Sequence, residues 1–179
     1  MKIISVHRLD PSLVIDIHPD STVVLPGRPF FLPEDGDLRV ARAHVAVRIS
    51  RLGKNISRKF APRYYDGITV GLRLTPAGEI ADEMKGVVSA MDSSTVFGEW
   101  REPSVAEAEM EANVGGVTCA LGGLLPQIDC AISEISKYMT LKMGDVVMLP
   151  VFYVTPELVS SMRLVVEAGG TVVLDLKVV

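Results

Sequence analysis

The chain has 179 residues, 48% of them hydrophobic, enough for one domain with a real core and too few for two of ordinary size. Lys and Arg number 18 against 22 Asp and Glu, a net charge of −4 with a pI near 5.4. No basic stripe offsets that balance, which argues against nucleic acid as a partner, because phosphate binding needs clustered cations. No apolar run reaches transmembrane length, and the N-terminal Ile3-Ile4-Ser5-Val6 is too short for a signal peptide. The expectation is a cytoplasmic protein with no membrane contact. Cys119 and Cys130 stand in no metal or redox spacing and read as reduced thiols.

In chain order, Lys2–Val6 reads as a short strand and Leu13–Ile17 as a second. His18-Pro19-Asp20-Ser21-Thr22 carries turn chemistry. Pro26-Gly27 marks a turn, Arg28–Pro33 an extended edge segment, and Glu34–Asp37 an acidic loop. Val40–Ser50 alternates: Ala41, Ala43, Val45, Val47 and Ile49 face one way, and Arg42, His44 and Arg48 the other. This is the signature of a half-buried strand. Ser57 is placed to cap a short helix over Arg58–Asp66, limited by Pro62, and Ile68–Thr75 alternates as a partner strand. Glu79–Met84 reads as one amphipathic turn, and Ser89–Ser94 as a polar loop. Val105–Thr118 mixes strand and helix signals, with loop points at Gly115-Gly116 and Gly122-Gly123. Ile128, Ile132, Ile135 and Met139 recur at helical spacing, predicting an amphipathic helix over about Gln127–Tyr138. Val146–Tyr153 reads as a strand, and Arg163–Glu167 with Thr171–Val178 as a hairpin closed by Ala168-Gly169-Gly170. Met139, Met143, Met148 and Met162 read as core filler, and Phe97 and Trp100 as core or interface. The sum is a β-rich α+β domain.

Three segments carry a more specific signal. Gly53-Lys54-Asn55-Ile56-Ser57 precedes Tyr64-Tyr65-Asp66-Gly67-Ile68-Thr69-Val70-Gly71, and Met91–Trp100 resembles the pattern F-D-G-S-A-x-x-G-P-W. Ile132–Val147 resembles I-x-x-I-S-x-x-M-T-L-x-P-G-D-x-I. In this order they resemble the fumarylacetoacetate hydrolase family, which includes 2-hydroxyhepta-2,4-diene-1,7-dioate isomerases and acylpyruvate hydrolases. The resemblance spans nearly the whole chain, 1–179, as a single domain. It implies a C-terminal-domain-like mixed β-roll with few short helices and a homodimer. It also implies Mg²⁺ or Mn²⁺ held by three carboxylates, with hydrolysis, isomerisation or decarboxylation of 2-oxo or 1,3-dicarbonyl acids assisted by a His/Glu pair on an N-terminal loop.

Carried over residue by residue, the family's ligand positions fall on other chemistry. The two glutamates of E-x-E-L-A-V-V-I-G fall on Arg42 and His44, and the aspartate of V-G-N-D on Arg73. A lysine before F-D-G-S falls on Ser89, and the lysine of K-P-x-S on His18. The G-T-P that reaches substrate becomes Pro150-Val151-Phe152, and the N-terminal catalytic loop is shortened, leaving only His7 and Asp10 as weak stand-ins for its dyad.

A hard divalent cation needs oxygen ligands and compensating negative charge, and guanidinium supplies neither. No metal cofactor is therefore expected. Arg42, His44 and Arg73 are expected instead to hold a small carboxylate or phosphate, or else to pair with acids such as Asp92 or Glu99 and plug the old cavity. His18 and Ser89 are the weaker catalytic candidates, with His18 read first as a turn histidine. Two functions stay open. One is a catalytically degraded homologue, a pseudoenzyme that binds an anion or serves as a partner subunit. The other is a divergent family enzyme with a rebuilt site.

Overall fold

The structure, a computed structural model, describes residues 1–33, 40–104, 111–114, 117–120 and 122–179. Strands β1 (Lys2–Arg8), β2 (Val14–Pro19), β3 (Val40–Ile49), β4 (Tyr65–Thr75), β5 (Thr95–Phe97) and β8 (Val146–Val154) form one sheet in the order β2-β1-β8-β3-β4-β5. β1 runs parallel to β8 and every other pairing is antiparallel. A second sheet, β10-β9-β6-β7, joins β6 (Glu111–Val114), β7 (Val117–Ala120), β9 (Arg163–Ala168) and β10 (Thr171–Lys177). The α-helices described in full are α1 (Lys85–Ala90) and α2 (Leu125–Tyr138), accompanied by short 3-10 turns. This is a β-rich architecture with a curled mixed sheet and few short helices.

The core lies on one face of the first sheet. Val45, Val47 and Ile49 of β3, and Ile68, Val70, Leu72 and Leu74 of β4, are all buried there. Against them α2 buries Leu125, Ile128, Ala131, Ile132 and Ile135, the apolar stripe its spacing predicts. The opposite face of β3 was expected to be solvated, but it is largely covered. Ile3, Ala46, Val146 and Met148 form a second buried cluster there, with Phe97 and Trp100 at its edge, ring centroids 5.4 Å apart. A central strand of a mixed sheet is flanked on both sides, so its polar face becomes the floor of a cleft.

Two of the family-like segments are stitched together. Asn55 N donates to Ser136 O at 2.9 Å, and Ile56 N to Ser136 Oγ at 2.8 Å, while Gly53 bridges Leu141. A Cβ on Gly53 would lie 2.5 Å from Tyr64 Cε1, so the chain needs glycine where the loop passes the ring.

Several expectations are corrected. His18 lies in β2 and is buried, because pairing with β1 extends that strand through Pro19 before a 3-10 turn begins. Ser89 belongs to α1 rather than to a loop, and the short strand β5, which the sequence reading did not assign, follows at Thr95. Arg58–Arg63 is a 3-10 turn without a side-chain cap from Ser57, and β4 starts at Tyr65. Met143 is 73% exposed and fills no core, whereas Met148 is fully buried. The expected acidic loop at Glu34–Asp37 and the Gly115-Gly116 loop point lie outside the described residues, as does the first part of Val105–Thr118. The helix and the C-terminal hairpin stand as expected, each within about two residues.

Candidate functional site

The polar face of the first sheet brings the sequence-derived candidates into one cleft. Period-two alternation turns Ser5 and His7 of β1, Asp16 and His18 of β2, Arg42 and His44 of β3, and Arg73 of β4 to the same side. With α1 as the outer wall they line a cleft of about 560 Å³. All five candidates, His18, Arg42, His44, Arg73 and Ser89, contribute to it.

Arg42 and Arg73 are directly paired across the β3–β4 ladder. Arg42 is exposed, and its Nε lies 3.4 Å from Thr75 Oγ1. Arg73 is 4% exposed and held by neutral oxygens. Its Nη1 donates to Ser94 Oγ and Thr95 Oγ1, both at 2.7 Å, and to Ser94 O at 3.2 Å, while Nη2 reaches Val88 O at 3.4 Å. Among the described residues no carboxylate lies within ion-pair distance of either guanidinium, and none accepts from Arg73 Nε. The expected ion pairing with Asp92 or Glu99 does not occur. Burial lowers the Arg73 pKa to about 10, with the field of Asp16 opposing, so the group stays cationic at neutral pH.

His44 is 3% exposed. Its Nδ1 lies 2.9 Å from Arg42 O, and a carbonyl only accepts, so Nδ1 carries the proton and Nε2 presents a lone pair. Burial pushes its pKa down to about 3. A neutral imidazole of this tautomer accepts a proton rather than holding an anion by charge, which removes His44 from the charge-bearing half of the expected set.

His18 is fixed the same way. Nδ1 lies 2.8 Å from Ser89 O, so Nε2 is the acceptor, and Ser5 Oγ sits 2.9 Å from it. Burial first, and then the Arg73 charge, lower its pKa to about 4. Ser89 therefore acts through its backbone. At the C-terminal end of α1, Val88 O accepts from Met91 N at 3.5 Å and also from Arg73, while Ser89 O accepts from His18. Ser5 escaped the sequence reading. Its signal was a lone hydroxyl in the apolar run Ile3-Ile4-Ser5-Val6, on the strand face opposite Ile4 and Val6.

The cleft's acids sit nearer its mouth, and two are already engaged. Asp16 pairs with His7 at 2.8 Å, which leaves His7 apart from Asp10, and Asp82 pairs with Lys85. Glu79 is exposed on the rim. Among the described residues no three His, Cys, Asp or Glu side chains converge as a metal-holding group.

A mixed, curled sheet with a polar cleft on one face and a helix on the other defines a mixed β-roll. A model of the fumarylacetoacetate hydrolase C-terminal domain matches residues 6–177, and the chain belongs to that family. The fold is shared with an uncharacterised protein from Mycobacterium abscessus, at a TM-score of 0.80 and 23% identity, covering 99% of this chain and 78% of that one. It is also shared with 5-carboxymethyl-2-hydroxymuconate delta-isomerase from Mycobacterium smegmatis, at 0.79 and 21%, covering 99% and 78%. Fumarylpyruvate hydrolase from Pseudomonas aeruginosa, solved with Mn²⁺ and pyruvate, matches at 0.80 and 18%, covering 100% and 89%. No curated protein matches the sequence. Among the described residues no helix is long and apolar enough to cross a membrane.

Proposed function

We propose that this chain is a divergent family member that binds a small carboxylate, of the size of a 2-oxo acid, in the cleft between α1 and the first sheet. Guanidinium groups take the place of a divalent metal there. The observation that carries the reading is the Arg42–Arg73 pairing: two cations on facing strand positions, one of them buried among neutral acceptors only. Like charges placed directly opposite each other repel, and an anion between them removes that cost. The family's metal does not fit this donor set. Arg42 and Arg73 cannot ligate, His44 offers one lone pair, and Asp16 and Asp82 are already paired. The relative solved with pyruvate supports the ligand class, not its identity. Pairing of two copies through the family's dimer surface belongs to the same reading, and sedimentation velocity tests it.

A second reading, an active hydrolase, isomerase or decarboxylase on a 2-oxo or 1,3-dicarbonyl acid, is favoured by the family and by the buried, oriented histidines. Thermal-shift titration separates the ligand classes. Pyruvate, oxaloacetate, citrate and phosphate form one arm and Mg²⁺ and Mn²⁺ the other, since a ligand that binds only the native state raises Tm. Saturable stabilisation by carboxylates that Arg42→Ala abolishes is the expected result. Stabilisation by metal alone overturns the proposal.

A further inference from the structure

Ser5 and His18 have no part in holding an anion, yet their arrangement is that of a nucleophile with its base. Ser5 Oγ lies 2.9 Å from His18 Nε2, the unprotonated nitrogen, and the opposite nitrogen is anchored at 2.8 Å on Ser89 O. The carbonyl does what a third catalytic group does elsewhere: it fixes the ring's tautomer and its orientation. Both side chains are 2% exposed, and both form part of the cleft wall beside Arg73.

We propose that Ser5 is an acyl-accepting nucleophile and His18 its general base, acting without metal on an activated acyl compound that carries a carboxylate. This deepens the carboxylate-site reading and rests on it only for the substrate's anionic end.

In the first step Ser5 Oγ bonds to the acyl carbon and its proton passes to His18 Nε2, while the carbonyl electron pair moves to oxygen. Collapse breaks the bond to the leaving group, which departs with that bond's electrons and takes the proton from His18. Water then attacks the acyl–Ser5 ester with His18 accepting its proton, and Ser5 Oγ leaves with the proton returned. The net reaction is hydrolysis: one water consumed, one carboxylic acid and one protonated leaving group released. In the transition state a negative oxygen and an imidazolium form together. The Arg73 field favours the first, and the opposing field of Asp16 favours the second, with His7 and His44 as further titratable neighbours.

Diisopropyl fluorophosphate is a neutral probe that needs no anion site, so it isolates this proposal from the preceding one. The 179-residue chain, treated with chelator, is labelled, weighed intact and mapped by tandem mass spectrometry. The expected result is one adduct per chain on the peptide bearing Ser5, absent in Ser5→Ala and slowed at least tenfold in His18→Gln. Gln keeps polar partners for Ser5 and Ser89 but has no basic nitrogen. Far-ultraviolet circular dichroism checks that each variant is folded. Should Ser5→Ala fail to fold, Ser5→Cys with iodoacetamide replaces it, alkylation of the introduced thiol, mapped apart from Cys119 and Cys130, being expected to be fast only while His18 is present. In a second arm, p-nitrophenyl hydrogen succinate is turned over with a burst and outpaces p-nitrophenyl acetate, a preference lost in Arg42→Ala. No adduct on the folded wild type, an adduct elsewhere, or labelling unchanged in His18→Gln overturns the dyad. A Ser5 adduct without preference for the succinate ester leaves the dyad standing and removes the carboxylate site.

Discussion

Arg42 and Arg73 occupy directly opposed positions of the β3–β4 ladder, one exposed and the other buried. Opposed like charges cost a few tenths to about 1 kcal/mol relative to neutral pairs. Arg42→Ala is therefore expected to leave Tm unchanged or slightly raised without ligand, and to lose the rise that carboxylates bring in the wild type. At a hundredfold excess over Kd that rise corresponds to about 2.7 kcal/mol. Differential scanning fluorimetry of both proteins, with and without oxaloacetate, decides it.

Arg73 has a second, structural consequence. Removing its guanidinium leaves Ser94 and Thr95 hydroxyls without their ionic partner in a buried place. Arg73→Met is expected to destabilise by about 1–3 kcal/mol in urea unfolding, since buried polar groups then lose a charged hydrogen bond. Arg73→Lys retains charge but not the fork, and should recover only part of the loss.

Acid should weaken the fold through its histidines. His18 and His44 are held near pKa 4 and 3 in the folded chain, chiefly by burial, against about 6.5 when unfolded. The unfolded chain thus binds more protons between those values. Their stabilising contribution is complete above pH 6.5 and declines as pH falls through the folded values. Stability measured from pH 7 to 4 should fall by several kcal/mol. His44→Gln should flatten that slope, and an unchanged slope in this variant would rule His44 out as a source.

Asp145 ties the first strand to β8. It accepts from Lys2 N at 3.0 Å and Lys142 N at 2.8 Å, and it pairs with Lys2 Nζ. Burial raises its pKa, but the Lys2 and Lys142 hydrogen bonds outweigh this and lower it overall. That contribution is present above the ordinary carboxylate range and is lost below it. Asp145→Asn is expected to cost about 1–3 kcal/mol and to increase hydrogen exchange in β1.

Gly53→Ala should destabilise by about 1–3 kcal/mol, because the new methyl meets the Tyr64 ring at 2.5 Å and Ile56 Cδ1 at 2.7 Å. Gly27→Ala offers a contrast. Its methyl meets nothing within 4 Å, and only the positive φ of 75° opposes it. Parallel thermal melts of the two variants separate crowding from backbone strain.

The local pattern of this chain was legible because two periods recur in it. Alternation in Val40–Ser50 and Ile68–Thr75 already assigns Arg42 and His44 to the polar face of one strand and Arg73 to that of another, and helical spacing alone predicts α2. The three family-like segments likewise name the fold before any contact is known, and the matched family is the one they resemble. What that pattern leaves undecided is partnership across distant parts of the chain. His18 reads as a turn residue until β1 pairs with it, and Ser5 is one hydroxyl in an apolar run until its strand lies beside β2. Which histidine nitrogen carries a proton depends on carbonyls of Arg42 and of Ser89, the latter 71 residues away in sequence. Burial, which moves those pKa values, depends on strands and a helix drawn together from distant parts of the chain. Local spacing sets which way a side chain points, because the backbone period is a property of neighbouring residues. Only the tertiary fold decides what it meets there, because the partner comes from another strand.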